Sequence, residues 1–412
     1  MSIRRIVFSW LLGSGLLAIG IMALLACLWH VTLRHYGSGV THAPESAPWV
    51  LNHRAQHLLN VAMASGKDKT IIDAAVHIRS HGQLSGPGFS NHSHTAPTGG
   101  IFKNPWAWWQ YRRTASAAHA APGPDFDGEY FSQLLRQIRA MPGDYRARIL
   151  ARAPPGSSGP NKNSASVPVV TNRYVTWLAS RAPNHLTPVV SLVPGATAVG
   201  QRLTHWIKQG VKHIRWLPVR QHINLASPAA KMFYNKLAKA HAKLMLPVGR
   251  VRDGKGKPQW IRPGAIKPAL AAGVSVELTL AGASGPNGQQ LMPALFHLLA
   301  TSKHAKHITI DLTGVLSNHA PRTLLKPLLA HPQYYRNLQY ASNYPHSAVA
   351  GRIDVHQLAA AGFINPKLVT PLEAIDKVNP LAFSLVVMRN VHLPQTQLGF
   401  PSSVFESKKS LE

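Results

Sequence analysis

His77 closes the apolar run Ile72-Asp73-Ala74-Ala75-Val76-His77-Ile78, which reads as a β-strand ending in an imidazole. His92-Ser93-His94 follows in a Gly/Ser/Pro-rich stretch, and with His77 and His81 these rings could form a metal site. Loop histidines without a third ligand at strand or helical spacing are, on the plainer reading, solvated. Lys103 to Arg113 mixes Trp106, Trp108, Trp109 and Tyr111 with Lys103, Arg112 and Arg113. That mixture suits a membrane interface or single-stranded nucleic acid, and packing on an outer face is the plainer alternative. Cys27 is the one cysteine, so an intramolecular disulfide and a thiolate metal site are excluded. The chain has no Gly-x-Ser-x-Gly elbow, phosphate-binding loop or dinucleotide fingerprint.

Such residues act only where secondary structure positions them. Strands are expected at Thr70 to Ile78, Asp144 to Ala151, and near 187–193, 211–217, 243–249, 274–280, 307–312 and 338–342. Helical stretches alternate with them, including Phe126 to Ala140 behind Asp125. That alternation predicts an α/β fold, a (β/α)8 barrel, whose chemistry sits at the C-terminal strand ends. The residues there are His77, Ser191, Arg215, Arg250, Thr279, Asp311 and Asn343. Guanidinium forks grip carboxylates in a bidentate manner, so His77, Arg215, Arg250, Asp311 and Asn343 are candidates to bind a small anionic ligand. Alternatively, the arginines pair with Asp311 or backbone carbonyls and plug the mouth.

Several segments, in order, resemble the amidohydrolase superfamily, in its amidohydrolase-related branch of metal-dependent hydrolase barrels. They are Asn172-Arg173-Tyr174-Val175, Pro188 to Pro194, Gly210 to Pro218, Gln221 to Pro228, Pro268 to Val276, Ser342-Asn343-Tyr344-Pro345 and Asn379 to Phe383. The resemblance spans roughly Ile71 to Phe405 and implies a barrel whose metal is held by histidines and an aspartate. It places the first-strand ligand pair on Ala75 and His77, and the fourth-strand lysine on Arg215. The fifth- and sixth-strand histidines fall on Gly249 and Leu280, and the general-base aspartate on Asn343. Ala, Gly and Leu offer no ligand atoms, and Asn343 cannot take a proton from water. Arg215 stays charged and can be neither carbamylated nor a base. Without a metal, water keeps a pKa of about 15.7. The resemblance therefore implies a scaffold whose metal centre is dismantled, with no cofactor expected. Zinc or another divalent ion enters only if the chain is instead an active hydrolase or decarboxylase acting on a small carboxylated substrate.

Ile6 to Trp29 is an uncharged run of 24 residues behind Arg4 and Arg5, spanning about 36 Å as a helix. It reads as an N-terminal transmembrane helix that leaves the barrel extracytoplasmic, on the periplasmic side of a bacterial inner membrane. A signal sequence ending at the lipoprotein-like box Leu24-Leu25-Ala26-Cys27 is the alternative. The expected organisation is an anchor over 1–35, a linker and short amphipathic helix over 36–70, the barrel over 71–405 and a polar tail over 406–412.

The 412 residues contain 44 Lys and Arg against 15 Asp and Glu, a net charge of +29. Three causes compete: nucleic-acid binding, attraction to an anionic membrane, and life in an acidic medium where carboxylates lose their pairing value. The bases are scattered rather than gathered in a tail or recognition helix, which favours the acidic medium and makes nucleic acid an unfavoured partner. The expected function is a membrane-tethered, extracytoplasmic binding or interaction protein on a hydrolase-like barrel. The sequence leaves its oligomeric state and ligand open.

Overall fold

The computed structural model describes Gly20, Met22 and residues 50–64, 69–78, 105–121, 123, 125–153, 170–253, 257–283, 287–317, 321–349 and 352–408. The apolar run Ile6 to Trp29 therefore lies outside the described residues, apart from Gly20 and Met22. Among the described residues, no helix is long and apolar enough to cross a membrane.

Among the described residues, eight strands run parallel: β1 Lys69–His77, β2 Tyr145–Leu150, β3 Leu186–Ser191, β4 His213–Arg215, β5 Lys243–Arg252, β7 Val276–Gly282, β8 Ile308–Asp311 and β9 Leu338–Gln339. Two further strands are antiparallel, β6 Pro258–Ile261 against β5 and β10 Glu406–Lys408 against β1. The sheet curls until its ends meet. Ala74 N–H donates to Tyr340 O at 3.0 Å, Asn343 N–H to Ala75 O at 3.0 Å, and His77 N–H to Tyr344 O at 2.8 Å. Asp73 fastens the same seam: its Oδ1 accepts from Ser342 N–H at 2.8 Å, and its Oδ2 from Tyr145 Oη–H at 2.7 Å. Burial raises the pKa of this fully enclosed carboxyl, while the bonds from Ser342, Tyr145 and Ala75 oppose the shift.

Helices between the strands cover the outside of the barrel. They include α1 His53–Met63 before β1, α2 Pro105–Ala117 and α3 Phe126–Arg139 before β2, and α4 Asn172–Arg181 before β3. Then come α5 Val199–Lys208, α6 Pro228–Lys239, α7 Asn287–Thr301, α8 Val369–Val378 and α9 Pro380–Asn390. Their starts are written locally. Thr171 caps α4, Ser227 caps α6 with Pro228 as the first helical residue, and Asn379 caps α9 ahead of Pro380. After α5, Gly210 takes φ +82°, a left-handed turn that a side chain resists, and the chain re-enters the sheet.

Two apolar cores result. The large one lies between sheet and helices. The small one, Ala74, Ala75, Leu150, Val189, Met245 and Ala341, draws from strands around the ring and fills the barrel interior. Arg148 and Glu277, from β2 and β7, pair at 3.0 Å with side chains 4% and 1% exposed.

The expected parallel strands all form, within a few residues of their expected limits. The sequence reading misses the hairpin in which β5 runs on to Arg252 and folds back as β6. It also assigns Glu406 to Lys408 to a polar tail, whereas that segment is β10. Glu406 accepts from Lys69 at 3.2 Å and Arg389 at 3.0 Å, which fixes a segment that composition alone marks as polar.

Candidate functional site

At the C-terminal ends of β1, β7, β8 and β9 lies a cavity of about 280 Å³. His77, Asn343, His346, Ser317, Ser347 and Arg352 supply its polar wall. Leu280, Leu312, Leu316, Ile353 and Met388 supply the apolar one. His77 is the last residue of β1, and its carbonyl accepts from Tyr130 Oη–H of α3 at 2.7 Å. Its Nε2 lies 3.0 Å from Asn343 Oδ1, and its ring meets that of His346 edge-on at 5.0 Å. Asn343 adopts φ +59°, a left-handed conformation that asparagine tolerates better than most residues. The turn it begins brings His346 and Ser347 to the cavity, with His346 N–H donating to Asn343 O at 2.9 Å.

Of the expected ligand-binding residues, the structure brings His77 and Asn343 together. Arg215 is buried, and its Nη1 donates to Ala151 O at 3.1 Å at the end of β2. Burial lowers its pKa to about 10, with Asp311 opposing and Arg220 assisting, so it stays charged at neutral pH. Ser191 Oγ donates to Arg215 O at 2.9 Å and accepts from Gln221 Nε2 at 2.9 Å, which locks the ends of β3 and β4.

Asp311 is fully buried one residue before Leu312. Its Oδ1 accepts from Thr313 N–H at 3.1 Å. Burial, reinforced by Glu277, raises its pKa to about 8. Arg250 is exposed on the β5–β6 hairpin opposite Trp260, and does not line the cavity. The expectation of two arginines at one mouth is thus corrected: the hairpin carries Arg250 away, and Arg215 is held by a backbone carbonyl. The cation at the cavity is Arg352, which is exposed.

His346, Arg352 and the serines escape a reading based on strand ends, because they lie on the turns beyond them. The one available signal is the position of His346, three residues after Asn343.

The metal positions implied by the family resemblance do not fit a metal. Ala75 lies 2% exposed within the apolar interior, and Leu280 is an apolar wall residue. Gly249 has φ +92° where the pairing of β5 with β7 shifts register. The imidazole of His77 is engaged by an amide rather than a carboxylate. Among the described residues, no three His, Cys, Asp or Glu side chains gather as a metal requires. His81, His92 and His94 lie outside the described residues. In α2, Arg112 stacks over Trp108 at 5.4 Å and Arg113 over Trp109 at 4.7 Å, while Lys103 lies outside the described residues.

No protein-family model matches the sequence, and no curated protein does so significantly. Among solved structures, the chain is similar to an uncharacterized TIM-barrel protein from Bordetella bronchiseptica. Identity is 15% over 77% of this chain and 99% of that one, with a TM-score of 0.46. It is also similar to a candidate 2-pyrone-4,6-dicarboxylic acid hydrolase from Pseudomonas putida, at 16% identity over 76% and 98% of the two chains, with a TM-score of 0.44. A third is 5-carboxyvanillate decarboxylase from Sphingomonas paucimobilis, at 11% identity over 77% and 98%, with a TM-score of 0.39.

Proposed function

We propose that this chain is a membrane-tethered, extracytoplasmic barrel that binds a small carboxylate-bearing molecule at its C-terminal mouth and does not perform metal-dependent hydrolysis. The observation behind this reading is the His77–Asn343 contact, together with Ala75, Gly249 and Leu280 at the positions where the family resemblance would put metal donors. Asn343 has no proton to give up or take on at neutral pH, so it cannot act as the general base that the family resemblance puts at its position. The buried Asp311 does not line the cavity.

The cavity favours binding. At about 280 Å³ it lies at the small end of ligand sites, suited to a compact organic acid. Arg352 supplies the charge and a planar fork, His346, Ser317 and Ser347 supply hydrogen-bonding groups, and Leu312 with Met388 form an apolar wall. The tether is the apolar run Ile6 to Trp29.

Two measurements test the reading. Elemental analysis of full-length protein, purified without chelators or affinity tags and then loaded with zinc and manganese, should find less than about one-tenth metal per chain. Calorimetric titration with small mono- and dicarboxylates should find a binder that Arg352→Ala weakens about tenfold. Stoichiometric metal together with turnover of a carboxylated substrate would replace this reading with that of an active hydrolase or decarboxylase.

A further inference from the structure

The end of the barrel opposite the cavity carries a surface that the binding site does not use. In a (β/α)8 fold every helix-to-strand connection lies at the N-terminal ends of the strands. Three of these connections, two leading into the adjacent strands β4 and β5 and one into β8 on the far side of β7, present with their flanking element ends six exposed lysines: Lys208, Lys212, Lys239, Lys243, Lys303 and Lys306. The first two connections touch, with Lys243 N–H donating to Lys212 O at 2.8 Å. Arg139 and Arg181, at the ends of α3 and α4, continue the same charge. The one acid in the described helix-to-strand connections is Asp144, whose carboxylate already accepts from Thr70 Oγ1–H at 2.9 Å.

Helix-end electrostatics explains only part of this. Lys208 and Lys239 occupy last turns, where a cation complements the helix dipole. Lys306 lies in the single 3-10 turn Ala305–His307, while Lys212, Lys243 and Lys303 lie outside the helices and gain nothing from a dipole. Scattered adaptation to an acidic medium does not require lysines to gather at one end of the barrel either.

We infer that this N-terminal face docks onto an anionic lipid surface, so that the barrel rests on the bilayer with its cavity directed away. The inference rests on the tether in the proposed function, which would hold the barrel close to a bilayer. Each basic residue held near such a surface strengthens attachment about fivefold.

The test uses the full chain in lipid nanodiscs of either phosphatidylglycerol with phosphatidylcholine or phosphatidylcholine alone. A lysine-acylating reagent is applied, and each site is quantified by mass spectrometry. Failure to assemble into either disc would remove the tether, and the docking inference with it, without touching the cavity reading. With assembly, the six lysines should label at least about threefold more slowly in anionic discs, whereas Lys257 and Lys267, near the mouth, label alike in both. Equal labelling in the two discs, or protection of Lys257 and Lys267 instead, would overturn the inference. The variant Lys212→Glu/Lys243→Glu/Lys306→Glu, checked for native circular dichroism, should restore fast labelling of Lys208, Lys239 and Lys303. If single-stranded DNA at physiological salt protected the six lysines in phosphatidylcholine discs and anionic lipid did not, the face would belong to nucleic acid and the inference would fail.

Discussion

The Nε2 of His77 lies 3.0 Å from Oδ1 of Asn343, joining the last residue of β1 to the turn that follows β9. With the amide oxygen accepting, Nε2 carries the hydrogen and has no lone pair to offer a metal. The contact thus completes a barrel seam already held by the backbone bonds from Asn343 N–H to Ala75 O and from His77 N–H to Tyr344 O. The two side chains share this hydrogen bond and form one wall of the cavity.

If the proposed function holds, restoring donors should create metal affinity absent from the natural chain. Ala75→His with Asn343→Asp would supply two imidazoles and a carboxylate, and zinc uptake should rise toward one per chain from less than about one-tenth. Ala75 lies among Leu150, Val189 and Met245, so the larger side chain should also cost about 1–3 kcal/mol of stability. Elemental analysis with a parallel urea titration separates the effects. Full zinc occupancy in the unaltered protein would sink the reading.

Much of the fold is legible in the sequence because parallel strands buried on both faces read as apolar runs, as with Ile71 to Val76 and Leu244 to Val248. The β5–β6 hairpin is less legible, since Arg250, Arg252 and Pro258 do not resemble a strand and are held by register with Trp260 and Gln259. At the site, strand-end reasoning finds His77 and Asn343, the residues that end elements. It misplaces Arg250 because a strand that overruns the barrel carries its last residues outward. It misses Arg352 because a turn 13 residues beyond the end of β9 has no periodicity to reveal where it returns.

Arg215 and Arg352 should divide stability from binding. Arg215 is buried against Ala151 O, and Arg215→Met should destabilise the fold by about 2–3 kcal/mol through lost charged hydrogen bonding, with carboxylate affinity within about twofold of the natural chain. Arg352→Ala should do the reverse, leaving the unfolding midpoint unchanged while affinity falls about tenfold. Calorimetry and thermal melts on both variants check this. Loss of affinity in the Arg215 variant without loss of stability would make Arg215 a ligand rather than a latch.

The Arg148–Glu277 pair spans the barrel interior between β2 and β7, with His213 fully buried nearby. Burial, and after it Arg148, drives the pKa of His213 down, so the ring stays neutral. Removing one ion leaves the other unpaired in a dry interior. Arg148→Met should cost about 3–5 kcal/mol in a urea titration, and Arg148→Met with Glu277→Leu should recover most of that loss. A single variant as stable as the natural chain would show that water reaches the pair.

Asp311 gives the chain a testable pH signature. Its carboxyl has a pKa of about 8 when folded, and an aspartate in the unfolded chain has one of about 3.9. Between those values the native state holds a proton that the unfolded state lacks. Asp311 therefore contributes stability that is fully present below about pH 4 and is lost as the pH rises through about 8. The span corresponds to several kcal/mol, on the order of 5, moderated by the neighbouring Arg215 charge, which favours the carboxylate. Asp311→Asn cannot titrate, so the stability difference between the two proteins should change across pH 5 to 8 and flatten above about 9. Urea midpoints at one-unit pH intervals measure it. A difference constant across that range would show that Asp311 is ionised in the fold. The same series bears on the surplus of basic residues, because a natural chain that loses stability steeply below about pH 5 would rule out adaptation to an acidic medium.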